Sequence, residues 1–196
     1  MTTIFISGIS GVGKSTVSKQ LAKDLNFIHI NQDNYYLKSK PEVTLSSGLK
    51  VKNWDSAQAL DFDKLNKDLI EYQLRGRENI ILEGFCLRDD LIKIKPDIHI
   101  HLSYIPVPTF ADLTSYINDF KDFIIPKIIK SRSQAKPGIK NDEIVVKELV
   151  WPFYIETLEN SFINYVVNTF DEEGNRIKVE VIIDRIKELL KNLNLI

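Results

Sequence analysis

The 196-residue chain fits one compact domain, and its 43% hydrophobic and 27% charged residues match ordinary globular composition, which excludes intrinsic disorder, collagen and a disulfide scaffold. Twenty-six Lys plus Arg against 27 Asp plus Glu leave a net charge of -1, so no whole-surface field attracts nucleic acid or acidic lipid, and any anion site must be local. Cys86, the single cysteine, excludes an internal disulfide and a cysteine-rich zinc site; apolar runs of about five residues fall far below the ~20 of a membrane span, so a cytoplasmic protein is expected.

Thr3-Ile4-Phe5-Ile6-Ser7 is an apolar run that stops at Gly8, and Val17, Leu21 and Leu25 then recur at helical spacing. The chain therefore opens as strand, glycine-rich turn and helix. Residues 27–30 read as a second strand, and Leu65, Leu69 and Tyr72 mark a helix that stops at Gly76 before a third strand at 79–83. Residues 97–103 and 165–170 read as the fourth and fifth strands. Val179, Ile182, Ile186, Leu189, Leu190 and Leu193 close the chain with a helix.

Five strands alternating with helices predict right-handed crossovers and a buried parallel sheet with helices on both faces, an α/β fold in a single domain over residues 1–196. Ligands of such sheets gather at the carboxyl ends of the strands, where residues 8–15, 31–36, 83–85 and the chain from Tyr104 emerge. Two segments escape the alternation. Residues 37–60 are polar and turn-rich, and residues 126–141 carry Lys127, Lys130, Arg132, Lys136 and Lys140, with Pro137-Gly138 and no acidic residue; both are expected to be mobile elements over a site.

Gly8-Ile9-Ser10-Gly11-Val12-Gly13-Lys14-Ser15 fits G-x-x-x-x-G-K-[S/T], whose glycines let backbone amides curl round a phosphate at a helix N-terminus. Gly8, Ser10, Gly11, Val12, Gly13, Lys14, Ser15 and Thr16 form the expected phosphate cradle, with Lys14 reaching the β and γ phosphates and the Ser15 hydroxyl binding Mg²⁺. Plain packing requires neither a lysine nor a hydroxyl directly after the last glycine. A switch GTPase is excluded, because Glu83-Gly84-Phe85 stands where an Asp-x-x-Gly is needed and no Asn-Lys-x-Asp occurs.

Phosphoryl transfer to a hydroxyl needs a carboxylate to orient the acceptor and take its proton, and Asp33, just past the second strand, is the candidate base, although an aspartate there also suits a turn cap. Asn53-Trp54-Asp55-Ser56 precedes a helix with Ser56 as its N-cap, leaving Asp55 to accept hydrogen bonds from a ribose diol. Trp54, Tyr35 and Tyr36 could stack on a flat base or fill core. Glu83 ends the third strand, where a carboxylate needs a cation, Mg²⁺ being the obvious one. Arg132 is the candidate transition-state clamp of a basic lid. His29, His99 and His101 are read as satisfied sheet histidines rather than zinc ligands, and Cys86 as an unreactive thiol.

Residues 8–16, Gln32-Asp33-Asn34-Tyr35-Tyr36, Asn53-Trp54-Asp55 followed by Ala59-Leu60-Asp61, Leu82-Glu83-Gly84-Phe85 and Val150-Trp151-Pro152-Phe153-Tyr154 together resemble nicotinamide riboside kinases, within the uridine kinase-like P-loop kinases. The resemblance covers residues 1 to about 90 and returns from Val150 to the end. It implies a three-layer P-loop kinase fold with a five-stranded sheet in the order 2-3-1-4-5 and a small lid at about 126–141, and an acceptor-binding segment at about 33–60. It also implies ATP as donor, often GTP too, with Mg²⁺, and transfer to the 5′-hydroxyl of a small ribonucleoside by a monomer or homodimer.

Carried over, Lys14 and Ser15 would serve phosphate and Mg²⁺, Asp33 the acceptor hydroxyl, Tyr36 and Trp54 the base, Asp55 the ribose diol and Glu83 the metal's shell, with the adenine pocket near 171–175. Only Gly76-Arg77-Glu78 separates helix from third strand, so the pyrimidine-reading insert of uridine kinases is missing, which favours nicotinamide riboside. The closely spaced lid arginines of the family are also missing. The alternatives are a kinase for uridine, cytidine or another small alcohol, and a non-catalytic nucleotide-binding protein.

Overall fold

The structure, a computed structural model, describes residues 1–76, 78–108, 112–135 and 142–196. Its first half runs β1 (Thr3–Gly8), α1 (Lys14–Leu25), β2 (Ile28–Asn31), β3 (Glu42–Thr44), β4 (Lys50–Lys52), α2 (Phe62–Arg75) and β5 (Ile80–Gly84). The second half runs β6 (Ile98–Ser103), α3 (Leu113–Asp119), α4 (Lys121–Ala135), α5 (Asp142–Val145), a π-helical turn (Val146–Val150), α6 (Trp151–Glu159), β7 (Tyr165–Asn168) and α7 (Val179–Asn192). None of the helices among the described residues is long and apolar enough to cross a membrane.

The central sheet is parallel in the order β2-β5-β1-β6-β7, which is 2-3-1-4-5 once the separate β3–β4 hairpin is set aside, as the family resemblance implied. Strand alternation sorts the core into two layers. Ile4, Ile6, Ile81, Ile98, Ile100 and Leu102 face α1 and α7, meeting Val17, Leu21, Ile182 and Ile186. Phe5, Ile30, Ile80 and Leu82 face the other way, onto Leu65 and Leu69 of α2. Because β1 is central, it delivers the glycine-rich loop to the middle of the sheet edge, with the exits of β2 and β5 on one flank and that of β6 on the other.

Three expectations need correction. Ser56 precedes only the short 3₁₀ turn Ala57–Ala59 and makes no capping bond, while α2 is capped by Asp61, whose carboxylate accepts the Lys64 amide at 2.9 Å. Asp61 lies one residue before an uninterrupted helical stripe and so wins the cap. Residues 37–60 are not merely turns. Within them Glu42–Thr44 and Lys50–Lys52 pair antiparallel as β3 and β4. The fifth strand stops at Asn168; Thr169 gives both its amide, at 2.8 Å, and its hydroxyl, at 3.1 Å, to the Ser103 carbonyl at the end of β6.

Candidate active site

At the centre of the sheet edge the chain must turn sharply from β1 into α1. Gly11 (φ 82°) and Gly13 (φ 106°) supply the left-handed conformations, and a side chain on Gly11 would overlap Ser131 and the Tyr104 hydroxyl. Gly13 caps α1 without a side-chain bond, so the first amides of the helix stay available to an anion. Lys14 folds over the loop, its Nζ donating to the Ile9 carbonyl at 3.2 Å. Burial pushes the Lys14 ammonium below its ordinary value, and Asp33, Glu83 and Asp55 pull it back.

On the neighbouring flank, Asn31 accepts the Asp33 amide at 2.7 Å and starts the 3₁₀ turn Gln32–Tyr35 that carries Asp33. Gln32 is buried and grips the Cys86 backbone twice: its Nε2 donates to the carbonyl at 2.6 Å and its Oε1 accepts the amide at 2.9 Å. With Asn31 opposite Glu83 in the sheet register, this clasp ties the exit of β2 to the exit of β5. Glu83 is 1% exposed, and among the described residues neither of its carboxylate oxygens has a hydrogen-bond partner; His29 Nε2 approaches Oε1 at 3.3 Å without alignment. A buried carboxylate in that state calls for a cation.

These exits open into a cleft of about 940 Å³. Of the residues expected from sequence, Ser10, Gly11, Gly13, Lys14, Ser15, Thr16, Asp33, Tyr36, Trp54, Asp55, Glu83 and Arg132 all line it. Gly8 and Val12 do not: Gly8 ends β1, and the Val12 side chain is buried beneath the loop. Tyr36 and Trp54 meet edge to face, 5.3 Å between ring centroids. Burial first, then Asp33 and Asp55, hold the Tyr36 hydroxyl well above its ordinary value, so it stays a neutral donor.

Arg132 enters from α4, with Nη1 3.7 Å from Asp55 Oδ2 and Nε donating to Asp142 Oδ1 at 2.9 Å. One guanidinium thus joins Asp55 to Asp142, the buried first residue of α5. The remaining basic positions Lys136 and Lys140, with Pro137, Gly138 and the end of the lid segment, lie outside the described residues, as does Arg77.

Gln32, Asp142 and Arg176 escaped the sequence reading. Arg176 donates to the Gly11 carbonyl at 2.6 Å and stacks on Phe170, 5.0 Å from its ring centre. Tyr104 completes this flank, donating to the Ser10 carbonyl at 3.1 Å and packing on Phe170 at 4.9 Å. The turn at 171–175 was the one signal for Arg176. Gln32 stands in the quoted motif 32–36, but its role was unread because its partner lies 54 residues away, and nothing marked Asp142, which follows the basic run.

His99 and His101 belong to a buried chain in which Ser7 Oγ bonds His99 Nε2 at 2.7 Å and His101 Nδ1 at 2.9 Å, and His101 Nε2 bonds the Tyr154 hydroxyl at 2.8 Å. His29 and His99 depart from the satisfied reading, since among the described residues His29 Nε2 and His99 Nδ1 are without a hydrogen bond. Cys86 is fully buried, and burial pushes its thiol up to about 12, in keeping with an unreactive role.

Against known proteins, a family model described as an AAA domain matches residues 4–103. The nicotinamide riboside kinase of Saccharomyces cerevisiae is 32% identical over 74 residues, covering 38% of this chain and 31% of that protein. The cytidylate kinase of Mycoplasmopsis synoviae is 34% identical over 132 residues, 62% of this chain and 55% of its own. The chain therefore spans between a third and about half of these relatives. The crystal structure of a sugar kinase from Janibacter sp. HTCC2649 superposes with a TM-score of 0.53 at 16% identity, covering 100% of this chain and 95% of that one, a likeness of fold.

Proposed function

Because the chain belongs to the AAA-domain family of P-loop proteins, we propose that it is a kinase: it transfers the terminal phosphoryl of ATP, with GTP as an alternative donor, to the 5′-hydroxyl of a small ribonucleoside. Nicotinamide riboside is the first candidate acceptor. The observation that carries this reading is the shared cleft, lined by Lys14 and Ser15 of the glycine-rich loop together with Asp33 at the exit of β2 and Asp55 after the β3–β4 hairpin.

In this reading Asp33 accepts the hydroxyl proton while orienting the acceptor, Asp55 receives the ribose diol, and Tyr36 and Trp54 flank the base. Lys14 and the amides at the start of α1 neutralise the donor phosphates, and Arg132 exchanges its carboxylate partners for phosphate oxygens as the lid closes. The donor set fits Mg²⁺: the Ser15 hydroxyl and the unpartnered Glu83 carboxylate would hold it, directly or through water, with phosphate oxygens supplying other positions. Among the described residues no cluster of three or more His, Cys, Asp or Glu offers a rival metal site. Bound there, Mg²⁺ would offset charge on the β and γ phosphates. The protein would act on small molecules in the cytoplasm, as a monomer or homodimer.

The likeness to a cytidylate kinase adds nucleoside monophosphates to the acceptors worth testing. Incubation with ATP, Mg²⁺ and a panel of nicotinamide riboside, uridine, cytidine and cytidine monophosphate, with products separated by anion exchange, should yield a new phosphate ester from at least one. Phosphorylation of none would overturn the reading and leave a non-catalytic nucleotide-binding protein.

A further inference from the structure

Glu83 lines the cleft although its side chain is almost wholly covered, whereas His29 stays out of the lining. In the β2–β5 register Asn31 lies opposite Glu83 and His29 opposite Ile81, so alternation puts His29 and Glu83 on the same face of the sheet, diagonal to each other. His29 Nε2 ends 3.3 Å from Glu83 Oε1. Both atoms are closed off from solvent, and neither has a hydrogen-bond partner among the described residues. Asn31, the register partner of Glu83, accepts the Asp33 amide, and Lys14, which acts on Glu83 through its charge, donates to the Ile9 carbonyl. Two buried polar atoms left open at this separation cost free energy unless some state of the molecule satisfies them.

We propose that His29 is the positioning residue of Glu83: it gives its Nε2 proton to Oε1 and so leaves Oε2 aimed at a divalent cation in the cleft. The inference rests on the kinase reading in one respect, that Glu83 serves the Mg²⁺ of the nucleotide. A buried carboxylate with two equivalent oxygens can turn about its last bond, and one donor fixed behind it breaks that equivalence. The bond needs only an N–H at Nε2, not a charge on the ring. His29 comes from β2, the strand that runs on into the turn carrying Asp33, so one strand steadies both carboxylates of the proposed chemistry. An outer partner of this kind fixes the orientation of a metal-binding carboxylate and raises its affinity.

The test reads metal binding rather than turnover. Mn²⁺ is titrated into the full chain, held in excess over the non-transferable analogue β,γ-imido-ATP, and free Mn²⁺ is followed by its electron paramagnetic resonance signal. His29→Leu should weaken Mn²⁺ binding about tenfold, while His29→Gln, whose amide sets an N–H at a similar reach, should stay within about threefold of wild type. His29→Asn, polar but too short to reach Oε1, should repeat the loss without placing an apolar group beside the carboxylate. In Glu83→Gln the effect of His29→Leu should vanish, because no carboxylate is left to aim. Binding of the analogue in EDTA, which reports the cradle alone, should be the same throughout the His29 series. Wild-type Mn²⁺ affinity in His29→Leu or His29→Asn, a His29→Gln as weak as His29→Leu, a loss that persists in Glu83→Gln, or a parallel loss of metal-free binding overturns the proposal, as does a wild type that takes up no Mn²⁺. Mn²⁺ binding indifferent to His29 in a protein that phosphorylates the panel leaves the kinase reading standing and removes this one. Binding that depends on His29 in a protein that phosphorylates nothing does the reverse.

Discussion

Gln32 contributes no atom to the proposed chemistry, yet its amide fixes where Asp33 can point. Gln32→Ala leaves the buried amide and carbonyl of Cys86 unpaired, which should cost about 1–3 kcal/mol in a urea titration and lower kcat through a misaimed Asp33. Asp33→Asn tests the proposed base. It keeps the shape of the side chain and removes its proton affinity, so kcat should fall about 100-fold or more with little change in ATP binding measured by calorimetry. In the kinase reading Arg176 belongs to the donor side. Its bond to the Gly11 carbonyl and its stacking on Phe170 place a guanidinium beside the cradle, so Arg176→Ala should raise the KM for ATP about threefold to tenfold and spare the acceptor KM.

At the scale of elements, the β3–β4 hairpin is tied to the helical side of the cleft. Ser46, in its turn, gives its amide to Glu148 at 2.9 Å and its hydroxyl to the same carboxylate, and these bonds lower the Glu148 pKa from the ordinary glutamate value. A carboxylate with a depressed pKa holds its partner fully above the ordinary value and releases it as pH falls through the depressed one. Amide exchange in residues 42–52 should therefore quicken relative to the sheet on acidification below the usual glutamate range, and Glu148→Gln should show the faster rate at neutral pH. The hairpin was illegible in the sequence because its strands are three residues each, too short for alternation to outweigh the polar content. The stretch from α3 to α6 was equally opaque. Ile124 and Ile128 are buried by contacts from distant segments rather than announced by a clean stripe, and the lysines of α4 masked the helix. The glycine-rich loop, the five strands, Asp33 and Glu83 were legible because each obeys a local rule: a turn needing glycine, an apolar run, a carboxylate at a strand exit; Asp55 was singled out through a Ser56 cap that the structure does not form.

For the molecule as a whole, stability depends on keeping two histidines neutral. Burial lowers His99 from 6.5 to about 4 and His101 from 6.5 to about 3. Between those values and 6.5 the unfolded chain binds more protons than the folded one, so stability falls as pH drops through that window, by up to about 1.4 kcal/mol per pH unit for each ring. Urea midpoints measured from pH 7 to pH 4 should trace this loss, and His101→Gln should flatten the slope by one ring's share. The same rings constrain how the sheet can change over generations. Ser7 serves both imidazoles from the central strand, so a lineage that loses its hydroxyl leaves one ring nitrogen of each histidine unpaired at once, and drift at this spot is expected to proceed by concerted replacement.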